Sequence, residues 1–171
     1  MTDTPRIYVA DLAAYNNGYL HGKWIDATQD VDDIWKEIRA MLKASPVGDA
    51  EEYAIHDYEN FAGYGVHEYD SIETVQAIAC FIEEYGEIGG LLLEHWSGDL
   101  KQAQQSIEEN YCGQYESLAD YLQQLIEETT QIPDSLQFYI DYKAMARDME
   151  VNGDVFTLQT AHDEVHVFWN H

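Results

Sequence analysis

Apolar residues recur along this chain with two periods, and the switches between them lay out its elements. Residues 6–10 (RIYVA) are rich in β-formers. Residues 22–27 (GKWIDA) read as a second strand after the turn signal Tyr15-Asn16-Asn17-Gly18. From Val31 a 3.6-residue period takes over, with Ile34, Ile38, Met41 and Leu42 as the buried stripe of a helix that Ser45-Pro46-Val47-Gly48 ends. Residues 53–56 (YAIH) read as a third strand. Ser71 is placed to cap a helix whose inner face is Ile72, Val75, Ile78, Ala79, Ile82 and Tyr85, and Gly86 stops it. Residues 88–96 are short, apolar and expected to be buried. Asp99 heads a helix with the stripe Leu100, Ala103, Ile107 and Tyr111, broken at Gly113. Ser117 heads another, with Leu118, Tyr121, Leu122 and Leu125 inward. Beyond Pro133, residues 137–140 look like a strand and 141–150 like a helix closed by Asn152-Gly153. Residues 155–159 and 164–169 then alternate as strands around a turn.

This order predicts an α+β protein of three small modules: an α/β module over residues 1–61, a helical module over 62–103 and an α+β module over 104–171. Of the 171 residues, 46% are apolar and 22 are aromatic, too much burial capacity for an acidic disordered tail. Cys80 and Cys112 both fall in helical patterns, and two cysteines make no disulfide framework. Without a signal-peptide pattern or an apolar run near 18 residues, the expectation is a soluble cytoplasmic protein that spans no membrane.

Charge changes the picture most. The chain has 33 Asp and Glu against 8 Lys and Arg, a net charge of −25. Residues 44–142 hold 21 of the acids and one base, Lys101. Three successive helical segments finish on a Glu pair: Glu83-Glu84, Glu108-Glu109 and Glu127-Glu128. A helix C-terminus is already partly negative, so an acid there costs about 0.3–1 kcal/mol. The helix from Val31 has the favourable order instead, with Asp30, Asp32 and Asp33 leading and Lys36, Arg39 and Lys43 following. Repeated local violations of this kind mark functional surfaces. Such a charge also excludes direct attraction to DNA, RNA or anionic lipid.

Enzymatic and metal chemistry find no footing, so no catalytic residue, metal or cofactor is expected. His162-Asp163-Glu164-Val165-His166 has Asp where a zinc-protease helix needs Glu, and its flanks alternate as strands. Asp30-Val31-Asp32-Asp33 lacks the glycine and closing Glu of a calcium loop. Paired carboxylates suit a glycosidase, but with 33 acids a chance pair is guaranteed. Cys112 has no base near in sequence to activate it. Two alternatives without mimicry stand beside these: an acidic metal-binding protein, and a halophile-type surface. A halophile's acids should spread over every face and not spare the helix from Val31, and solubility alone needs a net charge of only about 2–8.

The magnitude favours a phosphate-like surface, since 25 charges match about 42 Å of duplex at roughly 1.7 Å per charge. Acids at helical spacing lie about 5–6 Å apart, as in the pairs Asp70–Glu73, Glu83–Glu87, Glu84–Glu87 and Glu116–Asp120.

Residues 92–121 (LLEHWSGDLKQAQQSIEENYCGQYESLADY) resemble the ArdA antirestriction proteins of mobile elements. The likeness lies in Asp99-Leu100, Ala103, Tyr111-x-Gly113-x-Tyr115-x-Ser117 and Asp120-Tyr121. It extends to Arg6-Ile7-Tyr8-Val9-Ala10, Ala54-Ile55-His56-Asp57-Tyr58, Tyr139-Ile140-Asp141-Tyr142 and Asn152-Gly153-Asp154.

The resemblance implies an elongated three-module homodimer that imitates bent B-form DNA and occupies the DNA groove of type I restriction–modification enzymes, inhibiting restriction and possibly modification. The acids expected to face the enzyme are Asp70, Glu73, Glu83, Glu84, Glu87, Glu94, Asp99, Glu108, Glu109, Glu116, Asp120, Glu127 and Glu128. The family's motif associates Tyr111, Gly113, Tyr115, Ser117 and Tyr121 with the dimer contact, and tyrosine is enriched at interfaces. Tyrosines packed inside the monomer are the alternative.

Overall fold

The computed structural model describes residues 3–170, which divide between Leu100 and Lys101 into two compact units. In the first, β1 (Arg6–Asp11) runs between β2 (Gly22–Asp26) and β3 (Tyr53–Glu59) in an antiparallel sheet ordered β2-β1-β3. Opposite positions Ile7 and Ile25 are fully buried, as is Val9, which pairs with Ile55. The helix α2 (Val31–Lys43) packs its stripe Ile34, Ile38 and Met41 against β1 and β2. Each such side chain removed from water stabilises the unit by about 1.5–3 kcal/mol.

A five-residue helix, α1 (Leu12–Asn16), precedes the expected turn at Gly18, started by the Asp11 carboxylate, which accepts from the Ala14 amide at 3.1 Å. α3 (Ile72–Tyr85) begins where expected, with Ser71 Oγ accepting from the Thr74 amide. Gly86, at φ +62°, ends it and opens α4 (Glu87–His95). In α4, Leu92 and Leu93 are fully buried, and Gly90 lies so close to Ala62 that a Cβ would come within 2.5 Å of its carbonyl oxygen.

The second unit takes up α5 (Leu100–Glu109) from Lys101 onward, β4 (Tyr111–Tyr115), α6 (Leu118–Thr129), α7 (Tyr142–Val151), β5 (Val155–Ala161) and β6 (Glu164–Trp169). Its antiparallel sheet is ordered β4-β6-β5. Leu118, Tyr121 and Leu122 of α6 and Ala146 of α7 pack on Val155 and Val167 to form the core. The fold is α+β. No helix among the described residues is long and apolar enough to cross a membrane.

Two local expectations are corrected. Residues 137–140 are not a strand: Asp134–Tyr139 is a 3-10 helix, with Phe138 and Tyr139 exposed at 94% and 83%, and no strand among the described residues pairs with it. Cys112 is not helical but lies in β4, where Gly113 at φ +112° makes a bulge against β6. Its partner strand is more than 50 residues away, out of reach of a local periodicity.

Candidate anionic interface

The helix ends reproduce the charge pattern read in the sequence. α2 has Asp32 and Asp33 in its first turn and Lys43 in its last. α3, α5 and α6 have no basic residue in their last turns, and Glu83, Glu84, Glu108, Glu109, Glu127 and Glu128 are all exposed there. Glu73, Glu87, Glu94, Asp99, Glu116 and Asp120 are exposed as well, and Asp70 is half-buried.

Six of these carboxylates take a hydrogen bond from a neutral donor. Gln105 donates to Glu109 at 3.2 Å on α5, and on α6 Gln123 donates to Glu127 at 3.1 Å and Gln124 to Glu128 at 3.2 Å. Trp35 Nε1 donates to Glu73 at 3.3 Å, Ser117 Oγ to Asp120 at 3.0 Å and the His67 amide to Asp70 at 2.8 Å. Lys and Arg ion pairs among the described residues include Arg6–Glu59, Lys23–Glu37, Lys36–Asp33 and Arg147–Asp148. None of them takes Asp70, Glu73, Asp120 or a Glu of the three helix ends. An amide or hydroxyl orients an anion and leaves its full charge in place; a lysine would cancel it.

The four helically spaced pairs are not carried on single helices. Ser71 separates Asp70 from Glu73, Gly86 separates Glu83 and Glu84 from Glu87, and Ser117 lies between Glu116 and Asp120. The i,i+3 and i,i+4 distance therefore does not apply to them. Rows within one helix are longer: Glu87–Glu94 on α4 and Asp120–Glu127 on α6 are seven residues apart, near two full turns. At 1.5 Å per residue that is about 10.5 Å, close to three base-pair steps of about 3.4 Å along one DNA strand. Glu73 and Glu84 on α3, eleven residues and about three turns apart, are separated by about 16.5 Å, close to five steps.

Of the three tyrosines expected at the dimer contact, Tyr121 and Tyr115 point largely inward. Tyr121 is 7% exposed, and its hydroxyl accepts from Trp169 Nε1 at 3.2 Å. Tyr115 is half-buried and donates to the Cys112 carbonyl at 3.0 Å. Tyr111 is the most open at 38%; its ring stacks on Phe168 and its hydroxyl meets His166 Nδ1 at 2.7 Å. Ser117 caps α6, its Oγ accepting from the Asp120 amide.

Sequence reasoning missed Gln105, Gln123 and Gln124 as orienting residues, although the spacing Gln-x-x-x-Glu was visible at all three. It also missed Trp169, which only tertiary packing brings to Tyr121.

A protein-family model described as antirestriction protein (ArdA) matches residues 7–164. No curated protein matches the chain.

Proposed function

The chain belongs to the ArdA antirestriction family, and on that footing we propose that this antirestriction protein is an inhibitor that imitates DNA. Its exposed acids stand in for phosphates and fill the DNA-binding groove of a type I restriction–modification enzyme. Restriction stops because the groove is occupied, and modification stops where it uses the same groove. The protein acts as a homodimer and turns over no substrate.

One observation carries this reading: acids placed against the helix dipole are exposed, and those with fixed orientations take them from neutral donors. A fold selected for stability alone would put Lys or Arg at those helix ends, where cations gain about 0.3–1 kcal/mol. Leaving the carboxylates oriented and uncancelled serves a cationic partner. The enzyme's Lys and Arg release their bound anions when the polyanion arrives, as phosphates release cations when a protein binds DNA. Because no base edge is imitated, inhibition is independent of the enzyme's recognition sequence.

A competition titration tests this directly. The protein is added to a purified type I methyltransferase holding a labelled duplex. Displacement of the duplex, with no binding of the protein to free duplex, is the expected outcome; failure to displace it refutes the proposal.

A further inference from the structure

Residues 129–140 (TTQIPDSLQFYI) of the second unit carry one charge, Asp134, in a chain of net charge −25. The 3-10 helix within them, Asp134–Tyr139, is pinned at both ends. Before it, the Pro133 carbonyl accepts from the Leu136 amide at 2.9 Å, and Gln137 donates to Asp134 at 3.4 Å. After it, Asp141 caps α7, accepting from the Ala144 amide at 3.0 Å. The backbone is thus fixed where it holds Phe138 and Tyr139 almost wholly in water and Leu136 about half so.

Ordering a segment to present aromatic side chains to solvent gains nothing for an isolated chain, because neither ring leaves water. Exposed apolar area of a few hundred Å² marks a site of protein association. Two aromatic side chains carry about 300–500 Å² between them. That is roughly half of the ~800 Å² that each partner gives to a standard interface.

Charge decides which partner fits. A groove built for phosphates offers Lys and Arg, which the acid-poor residues 129–140 do not answer. A second copy of the chain does fit. Two chains of charge −25 repel each other, and a two-fold contact sets one patch against itself, so an all-acid surface cannot serve. Lys143 and Arg147 follow the segment directly, exposed and one turn apart on α7. With Lys101 they are the only Lys and Arg from residue 101 onward. A two-fold contact here leaves these cations on each copy to answer Asp134 and Asp141 on the other.

We propose that Leu136, Phe138 and Tyr139, flanked by Lys143 and Arg147, form the contact with a second copy of this chain. The assignment rests on the reading above that the protein acts as a homodimer. It moves the contact away from the motif tyrosines, of which Tyr115 and Tyr121 are engaged within their own unit, to the segment that follows α6.

Sedimentation of the full-length protein tests this, with the parent expected to be a dimer at micromolar concentration. Phe138→Ser/Tyr139→Ser should sediment as a monomer there, its dimer dissociation constant raised at least about a hundredfold. Both side chains already lie in water, so its far-ultraviolet circular dichroism should match the parent's. Tyr19→Ser/Leu20→Ser removes other exposed apolar side chains, from the first unit, and should remain dimeric. Lys143→Glu/Arg147→Glu should weaken the dimer at about 50 mM salt and recover most of it at about 500 mM, because screening relieves repulsion. Salt should not rescue the serine variant.

A serine variant that dimerises as tightly as the parent overturns the placement and leaves the homodimer standing. So does a charge-reversed variant as tight as the parent at low salt. A parent that is monomeric throughout removes both the contact and the homodimer. Duplex competition is measured separately, so the groove-filling reading stands or falls by itself.

Discussion

Gln124 donates from Nε2 to Oε1 of Glu128 at 3.2 Å, in the last two turns of α6. Gln123 and Glu127 repeat the arrangement beside it. A lysine at either glutamine would add an ion pair and a cation near the negative helix end, together about 0.3–1 kcal/mol. Gln123→Lys/Gln124→Lys is therefore expected to raise stability in urea unfolding while weakening inhibition several-fold in the duplex competition. A variant that gained in both would show that charge cancellation does not matter there.

Salt should move the two properties of this protein in opposite directions. Affinity for the enzyme falls steeply between about 50 and 200 mM salt, because the gain from ion release shrinks. Stability rises over the same range, because a net charge of −25 repels itself less when screened. Calorimetric Tm and competition titrations in one salt series measure both. An affinity that stayed flat would remove the electrostatic mechanism.

Distributed charge predicts shallow single effects and steep combined ones. Neutralising any one of Glu83, Glu84, Glu108 or Glu127 to Gln should change potency less than about fivefold, since an exposed charge contributes at most about 1 kcal/mol. All four together should cost more than about tenfold. Each change relieves a helix C-terminus by about 0.3–1 kcal/mol, so the quadruple variant should unfold later than the parent. Lost inhibition together with higher stability separates a lost surface from a lost fold.

The Tyr121 phenol, raised from 10.0 to about 12 chiefly by burial, ties stability to alkaline pH. Between those values the folded protein holds a proton that the unfolded chain has released. The contribution is fully present below pH 10 and disappears as pH rises through about 12. Unfolding midpoints across that range, beside the ultraviolet titration of tyrosinate, should show the decline. Tyr121→Phe should flatten it, at a cost of about 0.5–1.5 kcal/mol from the lost Trp169 hydrogen bond.

Gly90→Ala should destabilise the first unit by about 1–3 kcal/mol, because the new methyl would sit 2.5 Å from the Ala62 carbonyl oxygen in a buried contact. Gly63→Ala, where a Cβ meets nothing within 4 Å but φ is +81°, tests backbone strain without a clash and should cost less, about 1 kcal/mol. Urea unfolding of both variants decides whether close approach or conformation dominates.

Much of this architecture is local, and local patterns are what a sequence states. The stripes Ile34–Ile38–Met41 and Ile72–Val75–Ile78 are buried as their period required, and the capping roles of Ser71 and Ser117 follow from short-range hydrogen bonds. The acids at the three helix ends were legible too, because a C-terminal position depends only on where one helix stops. Tertiary structure alone decided the rest. β4 is a strand because β6 comes to pair with it, and residues 137–140, with equal strand character, have no such neighbour. Trp169 reached Tyr121 across 48 positions to donate the hydrogen bond that its hydroxyl accepts. Periodicity reports which face of an element is buried, but pairing and enclosure are contacts between distant segments, and those exist only after the chain has folded.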